Sequence, residues 1–106
     1  MKSISPIELN NLINSKSDDF QLIDIREEYE HDICCIGGDK INMYQIPDKV
    51  SEISKDKKVI IYCRSGARSA NIVTILEKNF NFQNIYNLDG GIMKWREDVD
   101  PTLNEY

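Results

Sequence analysis

Residues 59–70, VIIYCRSGARSA, contain the pattern that decides the fold. Val59 to Tyr62 is a continuous apolar, β-branched run, which is typical of a buried strand in the centre of a parallel sheet. The polar segment Cys63 to Arg68 follows at once, and a helix is predicted from about Ser69 to Phe80. The order strand, loop, helix places this loop at the carboxyl end of a strand, where open α/β sheets bind their ligands.

Strands and helices alternate on both sides of this segment. Strands are predicted at Phe20 to Ile25 and at Asn84 to Leu88, because both are short apolar runs bounded by polar residues. Helical segments are predicted around Glu27 to His31, near Asp48 to Ile53 and from Ile92 to Arg96. This alternation predicts an α/β fold, in which an open sheet carries helices on both faces.

The clearest helix start lies near the N-terminus. Ser5 is a suitable N-cap, Pro6 occupies the first helical position, and Glu8 completes a capping box with Ser5. Ile4 and Leu9 stand at the two positions of a hydrophobic staple around that cap. The first helix is therefore predicted to begin at Pro6.

Size and charge restrict the possible functions. The chain of 106 residues has no repeat or linker, so we expect one domain over 1–106, with a core at about 3–97 and a tail at 98–106. Its net charge of −5 argues against nucleic acid or an anionic membrane as a partner. No apolar run reaches the roughly 20 residues that span a bilayer, and the N-terminal segment does not resemble a signal peptide. We therefore expect the protein to be cytoplasmic. No exposed apolar stripe is evident in the sequence, so a monomer is expected.

Three cysteines are present: Cys34, Cys35 and Cys63. An odd count with two neighbours is a poor disulfide framework, and zinc-ligand spacings such as C-x₂-C are missing, so neither a metal nor a cofactor is expected. Cys34 and Cys35 are interpreted as filler in a buried turn or as a second sulfur-relay or redox site. His31, the only histidine, lies in a charged stretch and is predicted to be exposed and not to act as a base.

Cys63 is the strongest candidate for a reactive residue. It precedes a helix whose free N–H groups and dipole favour an anion at that point. Arg64 and Arg68 add positive charge, and Gly66 lets the backbone curl without a Cβ clash. These effects stabilise a thiolate, or the terminal sulfur of a persulfide, on Cys63. The alternative is an inert buried cysteine, but a cysteine that only fills the core does not require two arginines within five residues of it.

Four collinear stretches resemble the rhodanese homology domain family. They are LIDIREEYEHDI at 22–33, IGGDKIN at 36–42, VIIYCRSGARSA at 59–70 and NLDGGIMKW at 87–95. Together they cover about residues 3 to 97. One departure from the family pattern is Cys34-Cys35-Ile36, where many members have Gly-His-Ile.

The resemblance implies a central five-stranded parallel sheet with helices on both faces. It also implies a sulfurtransferase, in which Cys63 takes a sulfane sulfur from thiosulfate or a protein persulfide and passes it to a thiol or a sulfur carrier. The segment that would cradle this sulfur and attract the anionic donor is Arg64, Ser65, Gly66, Ala67 and Arg68, with Ser69 in support. Asp24 and Arg26 would brace the loop, or would form only a surface ion pair.

Two other functions are compared with this interpretation. The rival activity is that of a cysteine phosphatase or arsenate reductase, because some dual-specificity phosphatases share this fold. Phosphatases need Cys-x₅-Arg and often a preceding His, whereas this chain has Cys63-x₄-Arg68 preceded by Tyr62. The second alternative is a non-catalytic sulfur-binding or protein-recruiting module. The tail at 95–106 resembles that of rhodanese domains joined to E1-like adenylyltransferases, which serve ubiquitin-like sulfur carriers. It is otherwise interpreted as a segment docked by Val99, Leu103 and Tyr106.

Overall fold

Five parallel strands form one sheet in the computed structural model, which describes residues 1–16 and 18–106. The strands are β1 (Lys2–Ile4), β2 (Phe20–Asp24), β3 (Asp39–Lys40), β4 (Lys58–Tyr62) and β5 (Ile85–Leu88), in the order β1-β5-β4-β2-β3. The helices are α1 (Pro6–Asn14), α2 (Glu28–Ile33), α3 (Ala67–Asn79) and α4 (Gly91–Asp98), and a 3₁₀ segment covers Met43–Glu52. The predicted α/β class with a central five-stranded parallel sheet is confirmed.

The central strand β4 separates two hydrophobic cores. Side chains along a strand alternate between the two faces of the sheet. Val59 and Ile61 therefore pack with α3, whereas Ile60 and Tyr62 pack with α1 and α4. All four side chains are fully buried, as the continuous apolar run predicted. Cys63 follows the same alternation and joins the core on the α3 side.

The start of α1 has the predicted geometry. The Glu8 N–H donates to Ser5 Oγ at 3.1 Å, and the Ser5 N–H donates to Glu8 Oε1 at the same distance. Ile4 and Leu9 are both buried in the core beneath the cap. The predicted capping box between Ser5 and Glu8 is therefore confirmed.

Two features differ from the expected elements. The edge strands β1 and β3 have three and two residues, too few for a local sequence pattern to indicate a strand. The helix predicted near Asp48 to Ile53 is instead a 3₁₀ segment that begins at Met43. Pro47 lies inside it, and a proline has no N–H for an α-helical hydrogen bond. None of the helices within 1–16 and 18–106 is long and apolar enough to span a membrane.

The C-terminal tail is docked on the domain. Val99, Leu103 and Tyr106 pack against the core formed with α1 and α4. Arg96 Nε donates to the Leu103 carbonyl at 2.7 Å, which holds the chain as it leaves α4. The docking that the apolar residues predicted is confirmed, and it brings the tail to the end of the sheet where β4 and the loop at 63–68 meet.

Candidate active site

Cys63 lies between the end of β4 and the start of α3. Its side chain is 1% exposed, and Gly66 is the N-cap of the helix that follows. The φ of Gly66 is +98°, a left-handed conformation that favours glycine, and a Cβ there would lie 3.3 Å from the Gly90 nitrogen. The backbone thus turns back over the cysteine within three residues.

Polar groups of α3 surround the sulfur of Cys63. The N–H of Gly66 donates to Sγ at 3.1 Å and the N–H of Ser69 at 3.4 Å. The Ser69 hydroxyl lies 3.3 Å from the same sulfur. Helix N-termini leave N–H groups without intrahelical partners and carry the positive end of the dipole. The arrangement therefore favours negative charge on Cys63.

Ser69 contributes more directly than the sequence indicated. Its fully buried hydroxyl lies within hydrogen-bond distance of Cys63 Sγ, the Gly66 carbonyl and Asn87 Oδ1. A hydroxyl has one proton to donate and two lone pairs to accept with. When Cys63 is a thiol, its S–H can donate to Ser69; when it is a thiolate, Ser69 can turn its proton to the sulfur. Asn87, from β5, was not identified from the sequence.

The start of α4 fixes the other side of the loop. The Ile92 N–H donates to the Cys63 carbonyl at 2.9 Å, and the Met93 N–H donates to the Arg64 carbonyl at 3.1 Å. In a trans peptide the C=O and the following N–H point in opposite directions. The amides that follow these two carbonyls, at Arg64 and Ser65, are therefore directed away from α4.

Arg68 binds a residue that the sequence analysis did not identify. Its two terminal nitrogens donate to the two carboxylate oxygens of Glu30, each at 2.8 Å. This pair lowers the pKa of Glu30 to about 2, against the effect of burial, and raises the pKa of Arg68. The Tyr106 hydroxyl also donates to Glu30 at 2.7 Å. Arg68 thus holds the loop to α2, and its charge is largely balanced.

Asp24 and Arg26 do not form a surface ion pair. Their exposed fractions are 0% and 1%, and Arg26 donates to both carboxylate oxygens of Asp24 at 3.0 and 2.7 Å. Burial acts to lower the pKa of Arg26, but the bonds to Asp24 and Tyr106 raise it overall. Arg26 also donates to the Cys34 carbonyl at 2.8 Å and packs over the Tyr62 ring. It therefore supports Tyr62, which precedes the loop, and the backbone that follows α2.

The prediction that His31 is exposed is wrong. The residue is 8% exposed, and its Nδ1 atom lies 2.8 Å from Asp24 Oδ2. The charged stretch forms the short helix α2, and Glu30 and His31 are its buried residues. Cys34, which follows, is buried in the core, whereas Cys35 is half-buried and its sulfur accepts the Gly37 N–H at 3.3 Å. The burial of Cys34 agrees with its interpretation as filler in a buried turn, whereas the half-exposed side chain of Cys35 does not.

Arg64, Ser65 and Ala67 are the exposed residues of the loop. Arg64 and Ser65 border a groove of about 300 Å³ that Met93, Arg96 and Tyr106 also line. The Arg64 guanidinium lies 5.0 Å from the centre of the Tyr106 ring and donates to the main-chain oxygen of Tyr106. The Arg64 guanidinium and the backbone of the loop therefore border this groove next to Cys63.

Comparison with known proteins agrees with this geometry. The rhodanese-like domain family model matches residues 5–98. "Putative sulfurtransferase YtwF" of Bacillus subtilis is 34% identical over 102 residues, which cover 95% of this chain and 96% of that protein. The chain is 32% identical to "Rhodanese-like/PpiC domain-containing protein 12, chloroplastic" of Arabidopsis thaliana but spans only 31% of its length.

A solved structure gives the same result. The crystal structure of a rhodanese-like domain protein from Staphylococcus aureus is 32% identical, covers 100% of this chain and 99% of its own, and superposes with a TM-score of 0.80. The fold, the collinear motifs and the matched length agree, and the chain belongs to the rhodanese-like domain family.

Proposed function

We propose that this protein is a sulfurtransferase whose nucleophile is Cys63. The observation that carries the proposal is the position of Sγ, which faces the N–H groups of Gly66 and Ser69 at the N-terminus of α3. Such a site stabilises an anionic sulfur. A relative named as a sulfurtransferase, matched over nearly the full length of both chains, supports the same reaction class.

The reaction takes place in two covalent steps. The Cys63 thiolate attacks the outer sulfur of thiosulfate; the new S–S bond forms as the bond to the sulfonate sulfur breaks, and sulfite leaves with the electron pair. A nucleophile such as cyanide then attacks the terminal sulfur of the Cys63 persulfide, which gives thiocyanate and restores the thiolate. A protein persulfide can replace thiosulfate as donor, with a thiolate as the leaving group.

The loop residues have separate roles in this scheme. Gly66 and Ser69 hold the sulfur, whereas Arg64 at the exposed mouth of the loop attracts the anionic donor. Because Cys63 is 1% exposed, the scheme requires the donor to approach Sγ from the exposed side of the loop. Arg68, bound to Glu30, keeps the loop in place and contributes little free charge. A small anion or an extended protein segment carrying a persulfide fits this approach.

The same contacts argue against phosphate chemistry. A phosphatase needs a loop that surrounds four oxygens and an arginine free to bind two of them. Here Cys63 and Arg68 are separated by only four residues, and Arg68 already binds both oxygens of Glu30. A tight loop around one sulfur is suited to a persulfide.

The assay is thiocyanate formation from thiosulfate and cyanide by the reduced protein. We expect activity in the native chain, no activity in Cys63→Ser, and nearly full activity in the matched control Cys34→Ala, which removes a buried thiol outside the site. Hydrolysis of a phosphate monoester without thiocyanate formation would contradict the proposal, and so would turnover by Cys63→Ser.

A further inference from the structure

Asp24, His31 and Cys35 form a second group of side chains, and these can ligate a metal ion. One ligand-type atom of each lies within 4.8 Å of both others. Asp24 ends β2, His31 is in α2 and Cys35 follows α2, so the cluster joins three places in the fold. The sulfur-transfer scheme uses none of the three side chains as a reacting group.

His31 is the observation that points to a missing partner. Its side chain is 4% exposed and Nδ1 lies 2.8 Å from Asp24 Oδ2, yet Nδ1 has no hydrogen-bond partner among the described residues. A buried polar atom without a partner is costly, and native structures rarely leave one. The imidazole nitrogen and the carboxylate oxygen, both of which can ligate a metal ion, therefore lie side by side without a well-directed hydrogen bond between them.

We propose that Asp24, His31 and Cys35 form a binding site for a zinc ion. The three ligand atoms lie within 4.8 Å of one another, so a small adjustment of the side chains would bring all three to the ~2.0–2.3 Å of zinc bonds to O, N and S ligands. Imidazole and thiolate select zinc over magnesium or calcium. A set of three protein ligands leaves a fourth position for water.

The surrounding residues suit a metal site. Arg26 donates to Asp24 Oδ2 at 2.7 Å, and the Gly37 N–H donates to Cys35 Sγ at 3.3 Å, with the Tyr62 hydroxyl 3.6 Å from the same sulfur. Hydrogen bonds of this kind orient metal ligands in proteins. Because Arg26 balances the charge of Asp24, the negative charge that the ion requires comes from the Cys35 thiolate, which loses its proton on binding.

A route of access is also present. A depression of about 340 Å³ opens beside His31, the one of the three ligands that lines it, and the carboxylates of Glu27 and Glu28 also line it. Cys35 is half-buried, whereas Asp24 and His31 are buried. The site could not be predicted from the sequence, because the ligands are not in a zinc-like spacing and their proximity depends on β2 and α2 packing together.

The test is a titration of the reduced full-length chain with zinc against a chelator of known affinity. We expect one ion per chain with a dissociation constant in the micromolar range or tighter, weakened at least tenfold in Cys35→Ser and in His31→Gln. Cys34→Ala and Cys63→Ser are matched cysteine controls that should keep the native affinity. Equal binding by native and Cys35→Ser proteins, or binding lost only in Cys63→Ser, would overturn the proposal.

A second measurement needs no variant at the ligands. One equivalent of zinc should slow alkylation of Cys35 in the native protein at least tenfold, as read from its peptide mass, and should leave the rate at Cys63 unchanged. Cobalt in place of zinc should give a thiolate-to-cobalt charge-transfer band. Protection of Cys63 in place of Cys35, or no protection of any cysteine, would contradict the assignment.

Discussion

Gly91 is the residue through which α4 shapes the loop at 63–68. Its φ is +63°, and a Cβ added there would lie 2.4 Å from the Arg64 carbonyl oxygen and 2.6 Å from that of Cys63. Ordinary contacts begin near 3.4 Å, so Gly91→Ala would displace the loop or the helix start by about 1 Å. The strain of a left-handed alanine, about 1–2 kcal/mol, adds to an overpacking cost of about 1–3 kcal/mol.

The expected result is a loss of both stability and activity. Gly91→Ala should lower the free energy of unfolding by about 2–5 kcal/mol, and a 1 Å misplacement should reduce thiocyanate formation by about 10²-fold. Gly37→Ala is the matched control, because its φ is +91° but no atom lies within 4 Å of the added Cβ. Urea unfolding and the thiocyanate assay measure the two effects. If Gly91→Ala behaved like Gly37→Ala in both, the proposed role of the α4 contact would be wrong.

Three further predictions concern side chains around the loop, those of Glu30, Tyr106 and Arg64. Arg68 holds the pKa of Glu30 at about 2, below its value of ~4.3 in an unfolded chain. The ion pair therefore stabilises the fold fully above pH ~4.3, and this stabilisation is lost as the pH falls toward 2. Glu30→Gln should thus be less stable than the native protein in urea at pH 7, and the difference in unfolding free energy should shrink at acid pH. Tyr106→Phe removes the hydroxyl that contacts Arg26 and Glu30 and should cost about 1–3 kcal/mol in the same assay; an unchanged unfolding midpoint would contradict this. Arg64→Ala should raise the KM for thiosulfate several-fold with little change in kcat, and Arg64→Lys should restore most of the loss; a fall in kcat alone would show that Arg64 does not act by attracting the donor.

The strand, loop and helix start at 59–70 could be predicted because their signals are local. A β-branched run, a cysteine, a glycine and a helix start follow one another within residues 59–70, and each constrains the backbone of the next. The capping box of Ser5 and Glu8 is another local signal, and both hydrogen bonds are formed. Where the physical cause lies within a few residues, sequence and structure agree.

The supporting residues could not be predicted in this way. Glu30 looks like one of several acidic residues in a surface helix, and its burial depends on Arg68, which is 38 positions away in the chain. His31 is buried because α2 packs beside the end of β2, where Asp24 lies. Helical spacing gave no signal either, because Cys34, four positions after Glu30, lies beyond the end of α2 in extended backbone.

The most direct test is the intact mass of the reduced protein after incubation with thiosulfate. We predict the addition of one sulfur atom, about 32 Da, located on the peptide that contains Cys63 and removed by cyanide. An unchanged mass, or a sulfur atom that remains in Cys63→Ser and resides on another cysteine, would contradict the assignment of the nucleophile.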